Sequence, residues 1–323
     1  MKKRLLNALV VAAVGSGILS LAQNLPYGTD ISVPVGTEQK QPSMDEAQFP
    51  FPALPATLRD AESRRDYLLK HYWDEFDFNN RALVNNRDVA EQGFVNFIAL
   101  LADPNTPSGL ATAAMRNFCN GIIASQQASQ TFIAMAESYL FDTRSPMYDE
   151  QRYVLFLREM TQRKELDTAN RHRMNYLLKL IERNRPGELA TDFTYYTPDN
   201  VAYRLSATDV AGEYLILLFY DPECEQCHET LETMKTDPWL NAELGNGRVS
   251  MLAIYTEGEE AVWRSRLTEM PKQWKVGNDR SKIKDHSLYD LKAMPVIYLL
   301  DKEKRVILKD AEYTEVKKVV KHL

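Results

Sequence analysis

The sequence predicts an α+β chain of two domains, an N-terminal all-α helical bundle followed by an α/β domain. Three observations carry that expectation. Apolar residues recur at helical spacing through residues 57–184. From residue 187 onward, continuously apolar runs such as Tyr214–Tyr220 and Val249–Tyr255 alternate with helical stretches, the pattern of a sheet covered on both faces. Between the two, Asn184-Arg185-Pro186-Gly187 stops the last helix of the bundle.

The chain has 323 residues, enough for two domains of ordinary size. At 44% hydrophobic, 26% charged and 10% aromatic, it has the composition of a soluble globular protein, which excludes a wholly disordered or membrane-embedded chain. A net charge of −6 gives no basic footprint, so no nucleic acid is expected as a partner. Residues 1–22 read as a signal peptide. Lys2, Lys3 and Arg4 precede an apolar stretch from Leu5 to Leu21, and Ser20-Leu21-Ala22 offers small residues for cleavage before Gln23. Export to the periplasm is the expectation; an uncleaved segment would instead hold the protein at the inner membrane. Residues 23–56 read as a tether, since Pro26, Pro34, Pro42, Pro50, Pro52 and Pro55 block helix continuation and no apolar period is present.

In the helical domain, residues 57–184, Thr57 is the expected cap of a first helix whose inner face is Leu58, Ala61, Leu68, Tyr72 and Phe76. A second helix starts near Asp88 and turns Phe94, Phe97, Ile98 and Leu101 inward. A third follows Thr106-Pro107-Ser108 with Leu110, Met115, Phe118, Ile122 and Ile123, and breaks near Ser125 before Phe132, Met135 and Tyr139 resume the pattern. A fourth spans Glu150 to about Thr161. In the fifth, Met174, Leu177, Leu178 and Ile181 form one amphipathic face.

The second domain, residues 187–323, opens with two short β-type runs, Asp192–Thr197 and Val201–Leu205. The buried strand Tyr214–Tyr220 then leads into a helix running to about Lys235, and Val249–Tyr255 is the next strand. A helix from Glu259 to Met270, a short stretch around Trp274 and a helix ending near Leu291 follow. Val296–Leu300 pairs with Arg305–Leu308 across the turn at Asp301–Lys304, and a helix from Thr314 closes the domain.

The chain has three cysteines. Cys119 lies in a helical pattern and reads as a small buried residue, with a disulfide to a partner as the alternative. Cys224 and Cys227 are three apart at a helix start, where they can close a small disulfide ring. A helix N-terminus favours negative charge, which makes Cys224 the attacking sulfur; Cys227, one turn inward, resolves the mixed disulfide. Two other readings use the same letters. Cys224-Glu225-Gln226-Cys227-His228 spells the C-x-x-C-H of covalent haem attachment, although the apolar strand before it does not suit a small helical cytochrome. Cys224, Cys227 and His228 could hold zinc or copper, but no fourth ligand is evident. The expectation is therefore a catalytic dithiol with no cofactor and no metal.

The order strand, C-x-x-C at a helix start, strand, helix, proline-led hairpin, helix resembles the thioredoxin superfamily. Within it, the chain is similar to the exported TlpA/ResA-like thiol–disulfide oxidoreductases. Gly187–Phe193 looks like that group's opening motif, and Met294-Pro295, before Leu299-Leu300-Asp301, matches the superfamily's cis-proline position. The resemblance implies that Met294 and Pro295 present backbone to an extended substrate beside the cysteines. The helical region is similar to an uncharacterised domain fused ahead of such modules, to which no firm chemistry attaches.

Three departures stand out. Glu223 replaces the usual tryptophan before the first cysteine, Leu218 occupies the place of thioredoxin's buried acid, and Thr230 stands where some relatives carry a glutamate. Proton transfer from Cys227 must then use another group or water. The acids Asp221, Glu223, Glu225, Glu229 and Glu232 also oppose negative charge on Cys224, with no Lys or Arg between residues 221 and 232. The expected function is reduction or isomerisation of disulfides in exported proteins, with a membrane electron donor keeping the pair reduced. The alternative is a non-catalytic thioredoxin-like module whose helical domain recognises a partner.

Overall fold

The computed structural model describes residues 48–322. The expected signal peptide and residues 23–47 of the expected tether lie outside them. The described residues divide into two compact units that part between Asn175 and Tyr176.

The first unit is helical: α1 (Ala61–His71), α2 (Arg81–Asn85), α3 (Arg87–Leu101), α4 (Ser108–Ile122), α5 (Gln126–Ala136), a π-helical turn (Glu137–Phe141) and α6 (Glu150–Thr161). Helix α7 (Thr168–Ile181) begins in this unit and ends in the next. The caps explain most of the helix starts. Asn86, Ser125 and Asp149 each accept a hydrogen bond from the first turn of α3, α5 and α6. Asp60, not Thr57, caps the first helix, because its carboxylate accepts the Ser63 N–H at 2.8 Å. Leu58, Ala61 and Leu68 consequently miss the buried face, which is formed by Arg65 and Leu69 and continues past the helix with Tyr72, Trp73 and Phe76.

Packed aromatic rings fill the core of this unit. Trp73 stacks on Phe118 with centroids 4.8 Å apart, and Phe94, Phe97, Phe132 and Phe156 are all buried around them. Each such ring contributes about 1.5–3 kcal/mol on burial. Phe49 precedes the first helix, yet it is 5% exposed and stacks at 5.2 Å on Tyr72. A Cβ on Gly93 would lie 2.3 Å from the Phe49 ring, so only glycine permits that approach. Glu159, also buried, accepts from Arg163 at 2.9 Å and from Arg116 at 3.2 Å.

The second unit holds a seven-stranded sheet. Its strands are β1 (Thr194–Tyr196), β2 (Ala202–Arg204), β3 (Tyr214–Tyr220), β4 (Val249–Tyr255), β5 (Lys275–Asn278), β6 (Val296–Asp301) and β7 (Val306–Leu308), in the order β2-β1-β5-β4-β3-β6-β7. β3, β4 and β5 run parallel; β6 and β7 on one side and β1 and β2 on the other are antiparallel additions. The helices are α8 (Glu225–Thr236), α9 (Pro238–Gly245), α10 (Glu260–Arg266), the short α11 (Lys282–Asp285) and α12 (Tyr313–His322). Strand alternation sorts β3 between two cores. Tyr214, Ile216, Leu218 and Tyr220 join Cys227, Leu231 and Val316 on one face. Leu215, Leu217 and Phe219 join Phe193, Tyr289 and Tyr298 on the other.

Three expectations in this unit need correction. The helix ending near Leu291 is the four-residue α11, which stops where Ser287 takes a left-handed φ of 50°. The helix from Glu259 to Met270 ends at Arg266 and continues as a 3₁₀ turn, Leu267–Glu269. The stretch after Trp274 is a strand, β5, held by parallel pairing of Leu252 with Lys275 and Ala253 with Val276. Helix α9 was not expected either. Asp237 caps it through the Trp239 N–H at 3.0 Å, and Pro238 fits its first turn without needing a donor.

Candidate active site

β3 delivers the chain to the C-terminal end of the parallel strands, where residues 221–224 turn into α8. Cys224 is the N-cap of α8, half-buried, and its side chain caps no backbone N–H. Its thiol faces the Met294 carbonyl oxygen, which accepts from it at 3.8 Å. The Met294–Pro295 peptide bond is cis. Cys227 lies one turn into α8, fully buried on the face that carries Tyr220 and Leu231. The fold thus brings the four residues singled out in the sequence, Cys224, Cys227, Met294 and Pro295, to one place. Both sulfurs are free thiols.

Burial pushes the Cys227 thiol up to about 12. The Asp221 N–H, donating to its sulfur at 3.4 Å, works against that rise, while the adjacent Cys224 and the charge of Asp221 add to it. Two phenols share the neighbourhood. Burial raises Tyr220, which also feels Cys227, and raises Tyr255 to about 12 with help from the charge of Asp221. Leu218, at the place of the superfamily's buried acid, lies in the same apolar core as Cys227.

Two cations lie near the acids of the motif, one from the same helix and one from a separate element. Lys235 reaches Glu232 at 2.9 Å. Arg266, at the end of α10, bonds Glu269 at 2.8 Å and also feels the charge of Glu223. Arg266 lines a small hollow beside the motif together with Tyr220, Pro222, His228 and Met270. His228 is exposed on α8. Among the described residues, no three His, Cys, Asp or Glu side chains are grouped to hold a metal ion, and no helix is long and apolar enough to cross a membrane. A separate cleft of about 340 Å³, lined by Asp192, Thr194, Arg204, Lys282 and His286, contains neither cysteine. Cys119 is fully buried in the helical unit, and desolvation pushes its thiol far up. Sequence reading missed Arg266, Tyr220 and Tyr255 as neighbours of the pair; no local motif marks them, since they arrive from separate elements.

This arrangement, a half-buried cysteine at the N-cap position of a helix with a buried cysteine one turn in and Met294-Pro295 opposite, defines a thioredoxin-like dithiol module. The crystal structure of a thioredoxin-like protein from Bacteroides caccae is 32% identical, with a TM-score of 0.73 over 86% of this chain and 99% of that one. The chain belongs to the thioredoxin-like superfamily, and residues 32–184 match a family described as a domain of unknown function, DUF5106. The C-terminal domain of an uncharacterized protein from Bacteroides fragilis is 35% identical over 43% of this chain and 98% of that one, TM-score 0.41. A domain of a possible thiol-disulfide isomerase from Cytophaga hutchinsonii is 21% identical over 44% of this chain and 94% of that one, TM-score 0.37. No curated protein matches the chain.

Proposed function

We propose that the chain is a thiol–disulfide oxidoreductase of the TlpA/ResA-like kind, a reductase or isomerase of exported proteins. The observation that carries this reading is the asymmetry of the pair: Cys224 is half-exposed at the helix N-cap, while Cys227 is fully buried one turn in. The Cys224 thiolate attacks a client disulfide, forming a mixed disulfide and releasing the first client thiol. Cys227 then attacks Cys224, releasing the second client thiol and leaving the Cys224–Cys227 disulfide. The client gains two electrons and two protons; the pair loses them. In an oxidising compartment the pair needs re-reduction, which calls for a membrane electron donor.

Insulin reduction by the mature chain tests the reading. Wild type should precipitate insulin chains in the presence of dithiothreitol well above background, and Cys224→Ser should not. Cys227→Ser should trap mixed disulfides with exported proteins, since it keeps the attacker and lacks the resolver. A wild type no better than Cys224→Ser would leave the module as a binding domain.

A further inference from the structure

The resolving step requires Cys227 to lose a proton inside an apolar core, and Leu218 and Thr230 offer no acid for it. Asp221 is held tightly in the turn that carries the cysteines. Its N–H donates to the Cys227 sulfur at 3.4 Å, its carbonyl accepts the Cys224 N–H at 3.2 Å, and its Oδ1 accepts the Glu223 N–H at 3.0 Å. Among the described residues its second carboxylate oxygen accepts no hydrogen bond, and the residue is half-buried. The turn therefore holds Asp221 against the Cys227 sulfur, close enough for its charge to act on that thiol.

We propose that the Asp221 carboxylate is the proton acceptor for Cys227, taking over from a different position the role for which the superfamily uses a buried acid elsewhere. The proposal rests on the oxidoreductase reading above. In the step, the Cys227 S–H proton passes to Asp221 as the Cys227 sulfur bonds to Cys224. The bond between Cys224 and the client sulfur breaks, and its electron pair leaves with that sulfur. The proton on Asp221 then goes to the departing client thiolate or to water, so the carboxylate is regenerated. The charge of Asp221 acts on both Cys227 and Tyr255. The other titratable groups facing Cys227 are Tyr220 from β3 and Cys224, while Glu257 and Glu259 face Tyr255. Both phenols are held protonated by burial and cannot accept the proton at neutral pH.

The test uses oxidised glutathione as the client in single-turnover reactions of the mature chain, acid-quenched and read by mass spectrometry. Asp221→Asn keeps the backbone N–H and a side-chain acceptor for Glu223, so the turn is retained. The first attack, seen as formation of the glutathionylated chain, should be no slower than in wild type, because a charge that opposes the Cys224 thiolate is removed. Its resolution should slow about 100-fold at pH 7, the range expected for one lost general base, and should climb about tenfold per pH unit as hydroxide takes over. Asp221→Glu should recover much of the rate, which a merely structural role would not produce. Independently, the Cys227 ¹³Cβ titration in Cys224→Ser should move to lower pH when Asp221→Asn is added. An unshifted titration, or resolution in Asp221→Asn with the wild-type rate and pH profile, overturns the proposal. A wild type that leaves insulin oxidised defeats the proposed function instead, and the titration distinguishes the two failures.

Discussion

At the scale of single residues, the two cysteines of the motif differ because one stands half-buried at the N-cap position and the other enters a core. Thiolate is the reactive form of cysteine. A thiol raised to about 12 is only about one ten-thousandth thiolate at pH 8, and Cys227 is also closed to solvent. Iodoacetamide at pH 8 should therefore label Cys224 first in the reduced protein and leave Cys227 and the buried Cys119 unmodified until unfolding. Peptide mapping of a time course checks the order. Early modification of Cys227 would reverse the assigned roles. The cysteine spacing was legible in the chain, because three residues apart at a helix start is a local fact. That Cys227 lies inward of Cys224 was legible too; how completely it is closed off was not, because that depends on Tyr220, Leu231 and Val316 from three elements.

At the scale of elements, β5 and α11 meet at Asp279, a fully buried carboxyl. It accepts the Ile283 N–H at 2.6 Å and the Ser281 N–H at 3.2 Å, yet burial outweighs these bonds and raises it to about 6. The folded-state value lies above the unfolded one, so Asp279 supports the fold fully below about pH 4. That support is lost as pH rises toward 6. About two units correspond to a loss on the order of 3 kcal/mol. Urea unfolding followed from pH 4 to pH 7 should show this decline in wild type and a flatter profile in Asp279→Asn. Equal slopes in the two proteins would contradict it. Neither element was easy to read locally: Lys275-Val276-Gly277-Asn278 has weak strand propensity, and Gly277 is required because a Cβ there would meet the Tyr195 ring at 2.4 Å.

At the scale of the whole domain, redox poise depends on charges gathered from several elements. Five acids surround the motif in sequence, but the fold sets Arg266 within the field of Glu223 and Lys235 beside Glu232. Glu225 has no cation paired with it among the described residues. Its charge should therefore weigh more on Cys224 than that of Glu223. Equilibration with glutathione should place the Cys224–Cys227 couple well below the roughly −120 mV of the most oxidising superfamily members. Glu225→Gln should raise the potential more than Glu223→Gln, and Arg266→Gln should lower it. A wild-type potential near −120 mV would refute the electrostatic argument.

The sequence by itself determined the order of the two folds and the elements whose signal is continuous and local. Tyr214–Tyr220 and Val249–Tyr255 are unbroken apolar runs and form strands with those bounds, and Glu150–Thr161 carries its own helical period. Asp237-Pro238 was an equally local signal for α9 that periodicity alone passes over. Only the tertiary structure decided what surrounds each of these pieces. It buried Phe49 against Tyr72 over a glycine, ended the first helix's apolar face short of Leu58, and set Asp221 beside the Cys227 sulfur. The physical reason is the same in each case. Backbone periodicity is written between neighbours in the chain, whereas desolvation and charge depend on groups outside that period, some of them tens of residues away, that turns and packing bring into contact.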